Sequence, residues 1–246
     1  MNDVRPFNNT IAPLHNVQLC MQAVSDAIER DPMLPGMVCF TGPSGFGKTI
    51  SATYTANKYD AFYIECKSTW TKKAVLTAIL REMSVPPLGT LPEMTEQIAE
   101  QLVITDKPLI VDEMDHLADK KSVEIIRDIY DASQAPILLI GEERLPQKLR
   151  KWERVHGRIM SWVQAQPASY QDAEYLAKIY SPDTKLAENL LTKLVDMSQG
   201  SIRRVCVNLN RINNVAKVEG WDRVDMKLWG NRELFKGEPQ KRRIFK

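Results

Sequence analysis

The sequence predicts an α/β chain, a parallel sheet covered by helices on both faces, followed by a small all-helical domain. Three observations predict it. Four short, almost wholly apolar runs, Met37–Thr41, Ala61–Cys66, Pro108–Glu113 and Pro136–Gly141, alternate with longer amphipathic stretches. Strands apolar on both sides are buried on both faces, as in a parallel sheet whose crossovers are helices. The first run leads directly into "GPSGFGKT", a phosphate-binding loop in its required place between strand and helix. Beyond Pro167 the apolar spacing is helical only.

Taken in order, residues Asn16–Arg30 carry Val17, Leu19–Met21, Val24 and Ile28 on one side of a helix. The stretch Asp31–Gly36, with two prolines and a glycine, ends it. After the first strand and its loop, Lys48–Lys58 reads as helix. Thr71–Met83 follows the second strand, with Val75, Leu76, Ile79 and Leu80 along one side. A proline-rich loop then precedes a helix over Met94–Val103, and Ser122–Ala132 is the helix between the third and fourth strands. The stretches "QDAEYLAKIY", "TKLAENLLTKLVDM", "SIRRVCVNLNRINNVAKV" and "DRVDMKLWGN" are helix-like, with no convincing strand. The expected division is an N-terminal helical segment (1–35), a nucleotide-binding α/β domain (36–166), a helical lid (167–235) and a basic tail (236–246).

Composition narrows the function classes. With 246 residues, 43% hydrophobic and 26% charged, the chain suits one large domain and a small appended one. No apolar run is long enough to span a bilayer, and "MNDVRPFNNT" is not a secretory signal, so no membrane partner and a cytoplasmic location are expected. Cys20, Cys39, Cys66 and Cys206 are scattered without a C-x-x-C pair, which suits buried free thiols. His15, His116 and His156 are too dispersed for a zinc cluster. The net charge is only +2, but basic residues gather in Lys148–Arg158, at Arg203/Arg204 and in the tail Lys241–Lys246. Such local patches decide phosphate-backbone binding more than the total does.

The loop runs through Gly42, Pro43, Ser44, Gly45, Phe46 and Gly47, with Lys48, Thr49 and Ile50 opening the helix. Its glycines let the backbone wrap phosphates with N–H groups inward, and the helix N-terminus adds partial positive charge. Lys48 is expected on the β- and γ-phosphates and Thr49 on Mg²⁺. Asp112 and Glu113 close the third strand, where Asp112 is expected to hold Mg²⁺ and Glu113 to polarise an attacking water. A carboxylate poised for water favours hydrolysis over transfer to a small acceptor. Asp115 reads as a helix cap and His116 as a locally bonded histidine. Glu142 and Glu143 follow the fourth strand, where a γ-phosphate sensor is expected, yet a carboxylate there acts only through water or metal. Arg154 and Arg158 are candidates to reach a neighbouring subunit's γ-phosphate, and Arg203, with Arg204 behind it, to sense nucleotide from the lid. For nucleic acid the candidates are Lys72, Lys73, Lys120, Lys121, Lys148, Arg150 and Lys151, with Trp70 nearby expected in the core.

In the order of "GPSGFGKT", "PLIVDEMDHL", "PILLIGEERL", "VHGRI" and "QGSIRRVCVNLNRI", the chain resembles the AAA+ ATPases that regulate DNA transposition, of the MuB and TnsC type. The resemblance runs from about Pro35 to about Val218. It implies an AAA+ core with a helical lid, binding of ATP and Mg²⁺, and assembly as helical filaments or rings on double-stranded DNA. It also implies recruitment and stimulation of a DDE transposase, with hydrolysis driving disassembly. It places Lys48 and Thr49 on nucleotide, Asp112 on Mg²⁺, Glu113 in hydrolysis and Arg203 as the second sensor. MuB-type members carry a helix-turn-helix domain ahead of their core, and the stretch before Met37 is expected to be too short for it. The same core serves replication initiators and helicase loaders, an alternative that stays open. A signalling NTPase or small-molecule kinase is the more remote one, opposed by the helical second domain and the Asp112–Glu113 pair.

Overall fold

The computed structural model describes residues 13–237. The basic stretch Lys241–Lys246 lies outside the described residues. The chain forms two compact units. The larger spans Asn16–Gln166, and the smaller comprises residues 167–237 together with 13–15.

The larger unit is built on five strands: β1 (Met37–Thr41), β2 (Phe62–Glu65), β3 (Leu109–Asp112), β4 (Ile137–Gly141) and β5 (Ile159–Gln164). They are parallel and lie in the order β2-β3-β4-β1-β5. Helices α1 (His15–Glu29), α2 (Lys48–Tyr59), α3 (Lys72–Glu82), α4 (Leu91–Thr105), α5 (Asp115–Asp119), α6 (Glu124–Ser133), α7 (Leu145–Arg150) and α8 (Glu153–His156) complete it.

The alternation of side chains along β1 sorts the helices between the two faces. Met37 and Cys39 point into a cluster with Leu76 and Ile79 of α3, Ile98 and Leu102 of α4, and Ile126 and Ile129 of α6. Val38 and Phe40 point the other way, onto Cys20, Ala23, Val24 and Ala27 of α1 and Ala52 and Ala56 of α2. The segment before the first strand is therefore not a separate piece: α1 covers one face of the sheet, because its small residues let it lie close to the strands. Chemistry at the ends sets the helix limits. Thr71 accepts a hydrogen bond from the Ala74 N–H, and Thr90 and Glu93 form a reciprocal capping box at the start of α4.

The expectation of four strands is corrected to five. Among the described residues β5 is an edge strand paired only to β1, and Ser161 and Gln164 interrupt its apolar pattern. With Trp162 partly exposed and no second neighbouring strand among the described residues, it lacks the continuous apolar signature of a central strand. Three cysteines are buried free thiols and Cys206 is half-buried. Burial pushes the Cys20 and Cys66 thiols up to about 12. Among the described residues no helix is long and apolar enough to cross a membrane.

The smaller unit holds α9 (Tyr170–Tyr180), α10 (Glu188–Ser198), α11 (Ile202–Glu219) and α12 (Met226–Trp229). It is not wholly helical. β6 (Lys185–Leu186) and β7 (Arg223–Val224) form a two-residue parallel bridge that no apolar run announces.

Candidate nucleotide site

The site lies at the carboxyl ends of β1, β3 and β4, where an open parallel sheet binds its ligands. The β1 strand ends at Thr41 and the chain enters the loop through Gly42. A Cβ at Gly42 would come within 2.8 Å of the Ala165 Cβ, so β5's continuation restricts this position to glycine. Gly45 and Gly47 take φ values of 85° and 84°, the left-handed region that bulkier residues resist. Gly47 caps α2 without a side-chain hydrogen bond, leaving the first-turn N–H groups of Lys48, Thr49 and Ile50 to an anion. Thr49 and Ile50 are exposed, and the Lys48 ammonium bends back onto the carbonyls of Gly42 (2.7 Å) and Pro43 (3.1 Å). Burial pulls the Lys48 ammonium below its ordinary value, against the opposing fields of Asp112, Glu113, Glu142 and Asp115. A desolvated cation in a loop of inward glycines is the donor set that phosphate oxygens require.

At the end of β3, Asp112 is buried. One carboxylate oxygen accepts from the Tyr63 hydroxyl (3.1 Å) and the other from the Glu113 N–H (2.8 Å). The Asp112 carbonyl accepts from the Cys66 N–H on the β2 side, while the Met114 N–H donates to Ile140 on β4. Glu113 lies between these two commitments and takes φ 54°. A non-glycine residue held there is uncommon and costs about 1–3 kcal/mol, which the two flanking hydrogen bonds impose. Burial first, and then the Asp112 charge, raise the Glu113 carboxyl above its ordinary value, while His116 and Lys48 oppose the shift. Thr49 and Asp112 are the oxygen donors that fit Mg²⁺, a hard cation that takes one or two protein ligands beside phosphates.

Asp115 is not the cap of α5, which Met114 occupies; it is the helix's first residue and is buried. Its carboxylate accepts from the Glu142 N–H (2.6 Å) and pairs with Lys148 (2.9 Å), and so ties α5 to the end of β4 and to α7. Glu142 itself is exposed, and its charge acts on Lys48.

Residues 31–149 match the family described as AAA domain. The Aeropyrum pernix ORC2 protein in its ADP form superposes at 16% identity with TM-score 0.65, over 90% of this chain and 69% of that one. The A. pernix ORC1 protein in complex with DNA does so at 16% identity with TM-score 0.64, over 89% and 65%. The Thermotoga maritima RuvB Holliday junction branch migration motor does so at 19% identity with TM-score 0.60, over 88% and 67%. The chain has the AAA+ fold. At these identities the likeness is one of fold, and the chain spans about two thirds of each of these proteins. No curated protein matches the sequence.

Lys48, Asp112 and Glu113 converge on one site, and the remaining candidates are described by their own surroundings. Arg154 is exposed on α8. Arg158, just before β5, is held within its own chain by a two-pronged pair with Asp131 (2.8 and 3.2 Å). Arg203 is exposed on the first turn of α11 in the smaller unit, and Arg204 bonds Gln199. Of the candidate DNA contacts, Lys148 is paired within the chain, with buried Asp115 and exposed Asp119, both at 2.9 Å. Lys120 donates to the Trp70 carbonyl (3.0 Å), two residues before Lys72 in the chain. Trp70, expected in the core, is half-buried and packs against it. Lys73 donates to Gly89 (3.2 Å). Lys72, Lys121, Arg150 and Lys151 are exposed.

Two site residues were not read from sequence. Tyr63 was passed over as strand core, although β2 pairs with β3 and a tyrosine one strand away from an acid can reach it. Asn16, buried at the start of α1, donates to the Phe46 carbonyl inside the loop (2.8 Å). No spacing rule links these two, because the contact is made by the fold.

Proposed function

We propose that this chain is a Mg²⁺-dependent ATPase that assembles on double-stranded DNA in its ATP state and releases it after hydrolysis. The observation that carries hydrolysis is Glu113, fixed in a left-handed conformation at the end of β3 with its carboxyl raised beside Lys48 and Asp112. A raised carboxyl lies closer to the working pH and makes a better proton acceptor. The loop N–H groups and Lys48 bind and orient the phosphates. Thr49 and Asp112 would hold Mg²⁺, which would offset phosphate charge, and Tyr63 fixes the Asp112 carboxylate. Glu113 aligns the water and takes its proton. Arg158, or Arg154, would act on a neighbour's γ-phosphate, and Arg203 would act as the second sensor, on the sequence pattern alone.

Support for the DNA role comes from the basic group Lys72, Lys73, Lys120 and Lys121, and from fold relatives described as bound to DNA or moving a DNA junction. The fold likeness to ORC and Cdc6 proteins favours a replication-initiator or helicase-loader role. Regulation of a DDE transposase is the second reading, favoured by the motif series from "GPSGFGKT" to "QGSIRRVCVNLNRI". Micrographs with DNA, with and without ATP, together with turnover measured against added DNA, test the common core. Filaments or rings that need ATP, and turnover that rises with DNA, are expected. DNA affinity indifferent to ATP at moderate salt would reject it. Stimulation by an integrase-like transposase rather than by a replicative helicase would choose the second reading.

A further inference from the structure

Asn16 is the first residue of the larger unit and Gln166 the last. The two are joined by a reciprocal pair: the Gln166 N–H donates to Asn16 Oδ1 (2.8 Å), and Asn16 Nδ2 donates to the Gln166 carbonyl (2.8 Å). The same Nδ2 donates its second hydrogen to the Phe46 carbonyl (2.8 Å). The amide thus spends both donors and its acceptor on three backbone groups, and at 4% exposure water does not compete. One side chain holds together the chain's entry into the unit, its exit, and the middle of the phosphate loop.

The Phe46 carbonyl and the Gly47 N–H belong to one peptide plane, and the described peptides are all trans. In a trans peptide these groups point in opposite directions. Pulling the carbonyl toward Asn16 therefore turns the Gly47 N–H away from α1. The glycines on either side of Phe46 have positive φ and little intrinsic preference, so the peptide's orientation has to be imposed from outside.

We propose that Asn16 is a positioning residue for bound nucleotide: it sets the Phe46–Gly47 peptide so that its N–H faces the phosphates, and it passes loop occupancy to the backbone at Gln166. This rests on the reading that the loop binds a nucleoside phosphate. Occupancy of the loop stabilises the Phe46 orientation, which stabilises the Asn16 amide, which in turn tightens the bond to the Gln166 N–H. By linkage, loosening Asn16 weakens nucleotide binding by the same factor.

The test uses the full chain and a fluorescent ADP analogue. Asn16→Asp keeps an acceptor for Gln166 but cannot donate to Phe46, and Asn16→Ala keeps neither. Both are expected to bind the analogue at least tenfold more weakly than the parent protein. Affinity of the folded fraction is a readout that lower stability alone does not move. Hydrogen exchange on the unaltered protein serves if the variants fail to fold: ADP is expected to slow exchange at the Gln166 N–H at least tenfold. Parent affinity in Asn16→Asp, or Gln166 exchange indifferent to ADP, overturns the proposal. If the unaltered protein binds no ADP at all, the reading of the loop itself falls, and this inference with it.

Discussion

Glu113 occupies a left-handed backbone conformation because its neighbours are committed to two different strands, Asp112 to β2 and Met114 to β4. The side chain is thereby projected from a rigid point beside a buried aspartate. Glu113→Gln keeps the shape and removes the base, so turnover is expected to fall about 10²-fold or more with ATP affinity retained. The same substitution has a thermal signature. The folded protein raises the Glu113 carboxyl above its ordinary 4.5, so it disfavours the ionised form. A raised carboxyl contributes stability below the unfolded value, and this is lost as pH rises through the folded value. Because the folded protein disfavours the ionised form, Glu113→Gln is expected to raise the melting temperature more as pH rises. The gain should vanish below the ordinary carboxylate range. Melting curves at low and neutral pH check it, and a gain unchanged by pH would mean the charge is not its source. The grouping of Lys48 with Asp112 and Glu113 was legible because each belongs to a short contiguous string whose chemistry depends on spacing. Tyr63 and Asn16 were not, because they reach the site only through strand pairing and helix packing.

Helices and strands were legible where one side of the element is buried throughout. The helix α3 follows its apolar positions Val75, Leu76, Ile79 and Leu80, all fully buried, and its cap at Thr71. The strand β5 was missed because an edge strand needs no second apolar face, and α7 and α8 because helices of a few residues show too little periodicity. The helix α5 was misread at its first residue: Asp115 looked like a cap but turns inward to the end of β4. That inward turn explains the glycine at the end of β4. A Cβ on Gly141 would collide with the Asp115 carboxylate and with Leu145. Gly141→Ala is therefore expected to destabilise the fold by about 1–3 kcal/mol, the usual cost of forcing atoms into a packed site. Denaturant titration measures it. Added cost in turnover beyond the folded fraction would show that Asp115 also sets the backbone at Glu142.

For the whole molecule, the net charge of +2 conceals the clustering that matters. Lys120, next to Lys121, donates to the carbonyl of Trp70, two residues before Lys72. Reversing Lys72 and Lys121 to glutamate is expected to weaken DNA binding severalfold and to flatten its salt dependence, while leaving nucleotide affinity intact. Lys148→Glu should instead disturb folding, since Asp115 and Asp119 would lose their cation. Filter binding across a salt series separates the two.

Whether nucleotide sites are shared between subunits can be decided by mixing two inactive proteins. Arg158 holds Asp131 in the same two-pronged geometry that a guanidinium presents to a phosphate, so the exchange of one partner for the other needs no new side-chain shape. If Arg158 acts across an interface, Arg158→Ala binds ATP but offers its neighbour no guanidinium. Lys48→Ala offers the guanidinium but binds no ATP. Each alone is expected to turn over ATP at least about 10³-fold more slowly than the parent protein. In a mixed assembly, a nucleotide held by an Arg158→Ala subunit can face the intact arginine of a Lys48→Ala neighbour. Equal amounts of the two should then recover a fraction of parent turnover, rising with total protein concentration as mixed contacts form. Recovery requires that the two residues serve one site from different chains, because neither protein can supply both. No recovery at any mixing ratio, with mixed assemblies seen in micrographs, would place the arginine's action within its own chain and leave Asp131 as its permanent partner.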